Sequence, residues 1–195
     1  MKRIIDIFAS AFMLILLFPF GLVIALLIVC DSRGGVFYRQ SRVGRYNRDF
    51  TLYKFRTMRT DADRLGLLTV GARDPRVTRV GYYLRKYKID ELPQLLNILS
   101  GDMSFVGPRP EVRKYVDLYN NEQKKVLSVR PGLTDYASIA YINENEILEK
   151  ANDKEQTYIN EIMPEKIKLN MKFIQNPSLY QYFKIIFLTI KSIFI

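Results

Sequence analysis

Between Ile7 and Cys30 the chain has 24 consecutive residues of which only Ser10 is clearly polar. A helix of that length can cross the roughly 30 Å hydrocarbon core of a bilayer. The flanks carry the same sign on both sides: Lys2 and Arg3 precede the run, and Arg33, Arg39, Arg42, Arg45 and Arg48 follow it. Basic residues mark the cytoplasmic side of a membrane segment, so both ends read as cytoplasmic. In the middle stands Phe18-Pro19-Phe20-Gly21. A proline inside a helix removes one hydrogen bond and clashes with the carbonyl four residues back, at a cost of about 3 kcal/mol in soluble helices. Two readings stay open on the residues: a kinked spanning helix, which membranes tolerate, or a re-entrant hairpin that dips into one leaflet and returns. A cleaved signal peptide is not expected, because the apolar stretch is too long and ends in Val29-Cys30-Asp31-Ser32 without a small-residue cleavage site.

The remainder of the 195 residues suffices for one domain of ordinary size. The formal net charge is +10, which calls for an acidic partner: nucleic acid, an anionic membrane surface or a phosphorylated substrate. There is no histidine, and Cys30 is the single cysteine. A zinc site, an intrachain disulfide and histidine-based acid–base chemistry are thereby excluded or disfavoured. Any chemistry must come from carboxylates, Lys, Arg, Tyr or a hard metal ion.

Residues 31–60 hold eight Lys/Arg against two Asp. Part of that charge is explained as a collar on anionic headgroups, at about 1 kcal/mol per basic residue. Within it, residues 36–38 and 50–55 predict short strands around a turn at 44–49, with Lys54 and Arg56 sharing a strand face. Residues 61–80 predict a polar loop and residues 79–88 a basic helix. Residues 111–127 predict an amphipathic helix with Val112, Tyr115, Val116 and Tyr119 along one side. Arg130–Thr134 predicts a turn, and residues 144–176 a charge-rich helical region broken at Pro164. The segment 178–195 is apolar but for Gln181, Lys184, Thr189, Lys191 and Ser192. It fits an amphipathic helix lying in the membrane interface, with a core helix as the alternative.

The densest chemistry lies at residues 90–110. Asp90, followed by Glu91, suits the N-cap of a short helix that tolerates Pro93 in its first turn and is stopped by Gly101, and Arg109 is braced between Pro108 and Pro110. Adjacent acids at a helix start are commonly just complements to the helix dipole. The same position is also an anion site, and an ionised Asp there can bind Mg²⁺ or attack phosphorus. Pro110 disfavours helical geometry at Arg109, so its guanidinium is presented on a stiff stalk suited to a phosphate or a uracil carbonyl. Seen alone, it could equally be a solvated turn residue.

Taken together, Asp-Glu-Leu-Pro-Gln-Leu-x-Asn at 90–97, Gly-Asp-Met-Ser-x-Val-Gly-Pro-Arg-Pro at 101–110, Tyr-Lys-Phe-Arg-Thr-Met at 53–58 and Arg-Pro-Gly-Leu-Thr at 130–134 resemble the bacterial sugar transferase family, the small monotopic phosphoglycosyl transferases. The resemblance runs from Lys2 to the C-terminal segment. It implies a mainly helical α+β fold: a re-entrant membrane helix over residues 1–32 bent at Pro19, a small cytoplasmic catalytic domain with short strands over 33–177, and an amphipathic surface helix over 178–195. It implies transfer of a sugar-1-phosphate from a UDP-sugar to polyprenol phosphate at the bacterial inner membrane, with release of UMP. Asp90 would be the nucleophile and the Mg²⁺ contact, and Glu91 its metal or proton-transfer support. Lys54, Arg56, Arg85 and Arg109 would bind the phosphates or the uridine. Implied partners are the two substrates and the lipid bilayer, with self-association left open.

Two departures stand out. Many members carry Ser before the hairpin proline, where this chain has Phe18; and members often read Pro-Gly-Leu-Thr-Gly-Trp-Ala where this chain has Thr134-Asp135-Tyr136-Ala137. The rival readings are a membrane-tethered nucleic-acid-binding protein and a non-catalytic membrane adaptor. No recognised nucleic-acid motif is present, so nucleic acid is not expected as a partner.

Overall fold

A computed structural model describes residues 1–60, 62 and 74–194. The loop expected over 61–80 therefore lies largely outside the described residues. The architecture is α+β and mainly helical, with two small two-stranded sheets.

The apolar run forms α1, Lys2–Asp31, which is helical through Pro19. It is the one described helix long and apolar enough to cross a membrane. Both of its ends dock on the same globular body. At the start, the Arg3 guanidinium donates to the carbonyls of Ile98 and Leu99. At the far end, the Asp31 carboxylate accepts the Val80 N–H at 2.9 Å. Asp6, buried inside α1, accepts hydrogen bonds from Ser104 Oγ, the Phe105 N–H and the Tyr182 hydroxyl. A buried carboxylate is stable only when so supplied, and Asp6 thereby ties α1 to two distant parts of the chain. One face of α1 packs on that body along its length, Met13, Leu14 and Leu17 against Leu95 and Ile98 and then Ile24 and Ile28 against Phe55 and Leu84, while Ile15, Leu16, Phe18, Leu22 and Val23 are exposed.

The expected hairpin is present: β1 (Phe37–Val43) pairs antiparallel with β2 (Asp49–Phe55), Phe37 opposite Phe55 and Val43 opposite Asp49. The outer edge of β2 would leave backbone groups unpaired. Asn97 fills that role, its amide donating to the Thr51 carbonyl at 2.7 Å and accepting from the Tyr53 N–H at 3.1 Å. Asn97 belongs to α3 (Gln94–Ser100), so one side chain docks this helix on the strand.

Before α3 comes α2 (Arg79–Lys86), capped by the Thr78 hydroxyl, which accepts from the Gly81 N–H. Asp90 is not the helix N-cap expected from sequence. Lys88 takes a left-handed conformation (φ 58°), so the chain turns through a short 3₁₀ segment, Ile89–Glu91, before α3 begins behind Pro93. Gly101 ends α3 with φ 100°, as expected.

The region 130–134 is a strand rather than a turn: β4 (Gly132–Thr134) runs parallel to β3 (Ser104–Val106). Its pairing continues past β3, the Gly107 N–H donating to the Thr134 carbonyl and the Gly132 N–H to the Pro108 carbonyl. The approach demands two glycines, since a Cβ on Gly132 would fall 2.1 Å from the Gly107 nitrogen. This contact carries the chain directly into Pro108-Arg109-Pro110.

The long helix expected over 111–127 is broken. Only α4 (Arg113–Val116) and a 3₁₀ stretch, Gln123–Ser128, form. Asn120 and Gln123 exchange side-chain-to-backbone hydrogen bonds, each accepting the other's N–H at 2.9 Å, and this local alternative starts a new turn. The predicted apolar face survives: Val112, Tyr115, Val116 and Tyr119 lie in one core cluster with Tyr158 and Ile167.

Beyond β4 come α5 (Tyr136–Ala140), α6 (Glu144–Lys150) and α7 (Lys154–Thr157). A π-helical turn at Tyr158–Ile162 then leads into α8 (Met163–Gln175). The interruption falls at Ala151–Asp153, not at Pro164, which follows closely on the π-helical turn within a continuous helical run. The last helix, α9 (Leu179–Phe194), buries Tyr182 and Ile185 and exposes Tyr180, Phe183, Phe187 and Ile190. It therefore has one face in the core and an opposite face that is apolar yet uncovered.

Candidate active site

A cavity of about 1120 Å³ runs through the globular part and is lined by Asp90, Glu91, Lys54, Arg85 and Arg109, among others. Four elements deliver these groups. The hairpin supplies Lys54 from the end of β2, and α2 supplies Arg85. The 3₁₀ turn after Lys88 supplies the two acids, and the stretch beyond β3 supplies Arg109. Asn97, on the helix that follows the acids, fixes that turn against β2.

Arg109 is held at its backbone as well as its side chain. Flanked by two prolines, it owns the one backbone N–H of residues 108–110, and the Asp135 carboxylate accepts it at 2.8 Å. On the other side, the Pro110 carbonyl accepts from Arg42 at 3.0 Å. The guanidinium forks onto Glu91, one nitrogen on each carboxylate oxygen. Lys54 Nζ donates to the same Glu91 at 3.2 Å.

The adjacent acids consequently differ. Burial pushes the Glu91 carboxyl up, but Arg109 and Lys54 outweigh it and hold it well below the usual carboxylate range. Arg109 in turn is driven further toward its charged form by Glu91. Asp90 is just as buried, yet its carboxylate makes no hydrogen bond among the described residues. Burial raises its pKa from the ordinary 3.8, Lys54 opposes that rise, and the negative Glu91 adds to it. Two neighbouring carboxyl groups with divergent environments take different roles. Glu91 is a brace held by Arg109 and Lys54, whereas the Asp90 carboxylate lines the cavity without such a clamp.

Arg85 is half-buried and its charge reaches Asp90. Lys88, absent from the sequence-based site, reaches it as well. Arg56 lines the same cavity, but its guanidinium is engaged elsewhere. Its guanidinium donates to the carbonyls of Ser32 and Arg33 at 2.6 and 2.9 Å, and to Ser32 Oγ at 3.1 Å. It thus closes the C-terminal end of α1, while Lys54 two residues earlier serves the acid pair. Pro19 lies far along α1 in the exposed apolar stretch.

Sequence reasoning missed Asn97, Asp135 and Lys88. Asn97 closes the Asp-Glu-Leu-Pro-Gln-Leu-x-Asn motif, which holds no signal of its partner, and Lys88 carries none beyond its charge. Asp135 was visible only as a departure from a family pattern.

No cluster of three or more His, Cys, Asp or Glu suited to a metal occurs among the described residues. A caged metal is therefore not supported, but the donor set does suit Mg²⁺, which binds through one or two carboxylates together with substrate phosphates and water. Asp90, unpartnered and cavity-lining, is the group that would hold it.

The profile of bacterial sugar transferases matches residues 1–195. A UDP-N-acetylgalactosamine-undecaprenyl-phosphate N-acetylgalactosaminephosphotransferase of Aeromonas hydrophila is 40% identical over 195 residues, covering 98% of this chain and 43% of its own length. An undecaprenyl-phosphate glucose phosphotransferase of Komagataeibacter xylinus is 38% identical over 197 residues, covering 97% of this chain and 35% of its own. A UDP-glucose:undecaprenyl-phosphate glucose-1-phosphate transferase of Caulobacter vibrioides is 37% identical over 195 residues, covering 98% of this chain and 69% of its own. The chain thus spans well under half the length of the first two relatives.

Proposed function

The chain belongs to the bacterial sugar transferase family, and we propose that it transfers a sugar-1-phosphate from a UDP-sugar to polyprenol (undecaprenyl) phosphate, releasing UMP. The observation that carries this reading is the split acid pair: Asp90 buried without a partner beside Glu91 clamped by Arg109 and Lys54.

In the first half-reaction an ionised Asp90 oxygen attacks the β-phosphorus of the UDP-sugar. The bond from that phosphorus to the bridging oxygen breaks, and UMP leaves with the bridging oxygen and its electron pair. The sugar phosphate is then esterified to Asp90. In the second, a phosphate oxygen of the polyprenol phosphate attacks the same phosphorus and expels the Asp90 carboxylate. Phosphoryl transfer of this kind depends on positioning and charge neutralisation. Lys54, Arg85 and Lys88 supply positive charge around Asp90. Arg109 commits two of its five N–H donors to Glu91, leaving three for phosphate or uracil oxygens. Arg56 was a candidate for the same work, but its donors at the end of α1 suit it to anchoring the membrane segment. Mg²⁺, when held at Asp90, would neutralise the diphosphate and the leaving UMP.

The setting is the cytoplasmic face of the bacterial inner membrane. Supporting it are the 30-residue apolar α1, basic on both flanks, and the uncovered apolar face of α9. Exposed apolar surface of that extent calls for lipid. In favour of a re-entrant form of α1 are the basic residues on both flanks and the docking of both ends on one globular body, although the helix itself runs uninterrupted through Pro19. The C-terminal helix would lie along the interface through Tyr180, Phe183, Phe187 and Ile190. A water-soluble nucleotide sugar and a lipid phosphate would then meet at the headgroup plane.

The test is UMP release from UDP-sugars by the full chain in detergent or nanodiscs, with polyprenol phosphate and Mg²⁺. Asp90→Asn is expected to reduce turnover by at least about 10³-fold. Undiminished turnover in that variant would remove Asp90 from the nucleophile's role.

A further inference from the structure

Beyond the acid pair, the same cavity is lined by Ser138 and Asn170, from α5 and α8. Both are gathered by one carboxylate. Asp135, 2% exposed, accepts from the Ser138 N–H through Oδ1, and from Asn170 Nδ2 at 2.7 Å and the Arg109 N–H at 2.8 Å through Oδ2. Since a carboxylate only accepts, Asn170 must turn its amide nitrogen toward Asp135, which leaves its carbonyl oxygen as a bare acceptor. That oxygen is buried with no hydrogen-bond partner, and so is the Ser138 hydroxyl. Asn170 itself is 6% exposed. An orphaned buried polar atom costs about 1–3 kcal/mol, and two of them beside one cavity ask for a ligand that supplies hydrogen-bond donors.

The charge pattern narrows the ligand. Lys54, Arg85 and Lys88 act on Asp90 and mark the phosphate end. At the Asp135 end the central group is an acid, and the cation one turn before Asn170, Lys166, is already paired with Glu144 at 2.7 Å. A phosphate is unwelcome there. A neutral polyol is suited: its hydroxyls donate to an amide oxygen and exchange hydrogen bonds with a serine. Uracil offers one N–H donor against two carbonyl acceptors and fits this pair less well.

We propose that Asn170 and Ser138 form the subsite that reads the hydroxyl groups of the transferred sugar, with Asp135 a positioning residue that holds this subsite and the Arg109 backbone in one frame. The inference rests on the transferase reading above and deepens it. The link through Asp135 is short: the peptide that presents the guanidinium to Glu91 is bonded to the same carboxylate as Asn170, so sugar end and phosphate end are set by a single rigid piece.

The experiment compares the unmodified protein with Asn170→Ala and Ser138→Ala, using UDP-glucose, UDP-N-acetylgalactosamine and UMP as probes. Ser138→Ala removes a hydroxyl that bonds nothing in the protein, so its fold is preserved. Expected is a rise of about two- to tenfold in KM for the preferred UDP-sugar, and a matching fall in the preference between the two sugars. Inhibition by UMP should be unchanged. In a thermal-shift arm, the extra stabilisation that UDP-sugar gives over UMP should shrink in both variants. The proposal is overturned if the sugar preference is unaltered, or if UMP inhibition weakens in step with KM, which would make this the nucleoside end. Failure of the transferase reading looks different: the unmodified protein would release no UMP from any UDP-sugar. The thermal-shift arm still decides the subsite in that case, and equal stabilisation by UDP-sugars and UMP in the unmodified protein would sink it.

Discussion

Glu91 grips Arg109 with both carboxylate oxygens, each taking one guanidinium nitrogen, and Lys54 completes the cluster. This arrangement makes Glu91 a brace between three separate segments: the end of β2, the turn before α3, and the stretch that leaves β3. Glu91→Gln keeps the shape and removes the charge. Breaking a buried pair leaves its cations uncompensated, and because the Arg109 side chain is 35% exposed the loss should fall near the lower end, about 2–3 kcal/mol. A melting temperature lower by about 5–10 °C is expected, with a higher KM for the UDP-sugar as Arg109 loses its anchor. An unchanged melt would show that the clamp contributes nothing to folding.

Asp90 sets the pH dependence. Its carboxyl is raised above 3.8 by burial, with Lys54 pulling against the rise, and attack on phosphorus requires the ionised form. Turnover should therefore fall on acidification with a midpoint above 3.8. Lys54→Met removes the opposing charge and should move that limb to higher pH. The stability sign is the reverse of a salt-bridged acid. The folded state binds this proton more tightly than the unfolded state, so the penalty is absent below pH 3.8 and complete once pH passes the raised value. Asp90→Asn should accordingly melt at a higher temperature than the unmodified protein at neutral pH while being inactive. An acid limb that Lys54→Met shifts downward would contradict this account of the site.

Much of this was legible beforehand because the signals were local. Alternation around a turn announced β1 and β2, a glycine announced the end of α3, and the flanking prolines announced a stiff Arg109. What escaped depends on partners far along the chain. Asn97 reads as an ordinary polar helix residue until Thr51 and Tyr53 appear beside it. Nothing near Asp6 in sequence points to Tyr182. The strand at Gly132–Thr134 has three residues, too few for any periodicity, and exists because Gly107 admits it. The periodic apolar face at 112–119 was real, but the exchange between Asn120 and Gln123 cut the helix that the period implied.

Arg56 offers a direct contrast with Lys54. By sequence the two share a strand face and one task, whereas the Arg56 guanidinium is taken up by backbone carbonyls at the end of α1. Arg56→Met should lower stability by about 2–4 kcal/mol through unsatisfied carbonyls and a loosened α1. In the folded fraction KM for the UDP-sugar should change less than about twofold, whereas Lys54→Met should alter kinetics strongly. Kinetic defects of equal size in the two variants, with an unaltered melt for Arg56→Met, would return Arg56 to the substrate.

The membrane segment can be decided by labelling. Cys30 is the single native thiol and is exposed, so a Cys30→Ser background permits one cysteine at position 2 and, separately, one at position 40. If Pro19 turns the chain back within one leaflet, both positions react with an impermeant maleimide from the cytoplasmic side of oriented vesicles. A spanning helix puts them on opposite sides. The two outcomes also differ energetically. With both ends docked, Arg3 on the carbonyls closing α3 and Asp31 on the Val80 N–H act together. Removing either contact should then loosen the same body. Arg3→Ala and Asp31→Ala are each expected to lower the melting temperature by several degrees, about 1–2 kcal/mol apiece, and labelling should remain one-sided in both. Opposite-side labelling in the Cys30→Ser background would refute the hairpin and leave the Arg3 contact without a role in the membrane-bound protein.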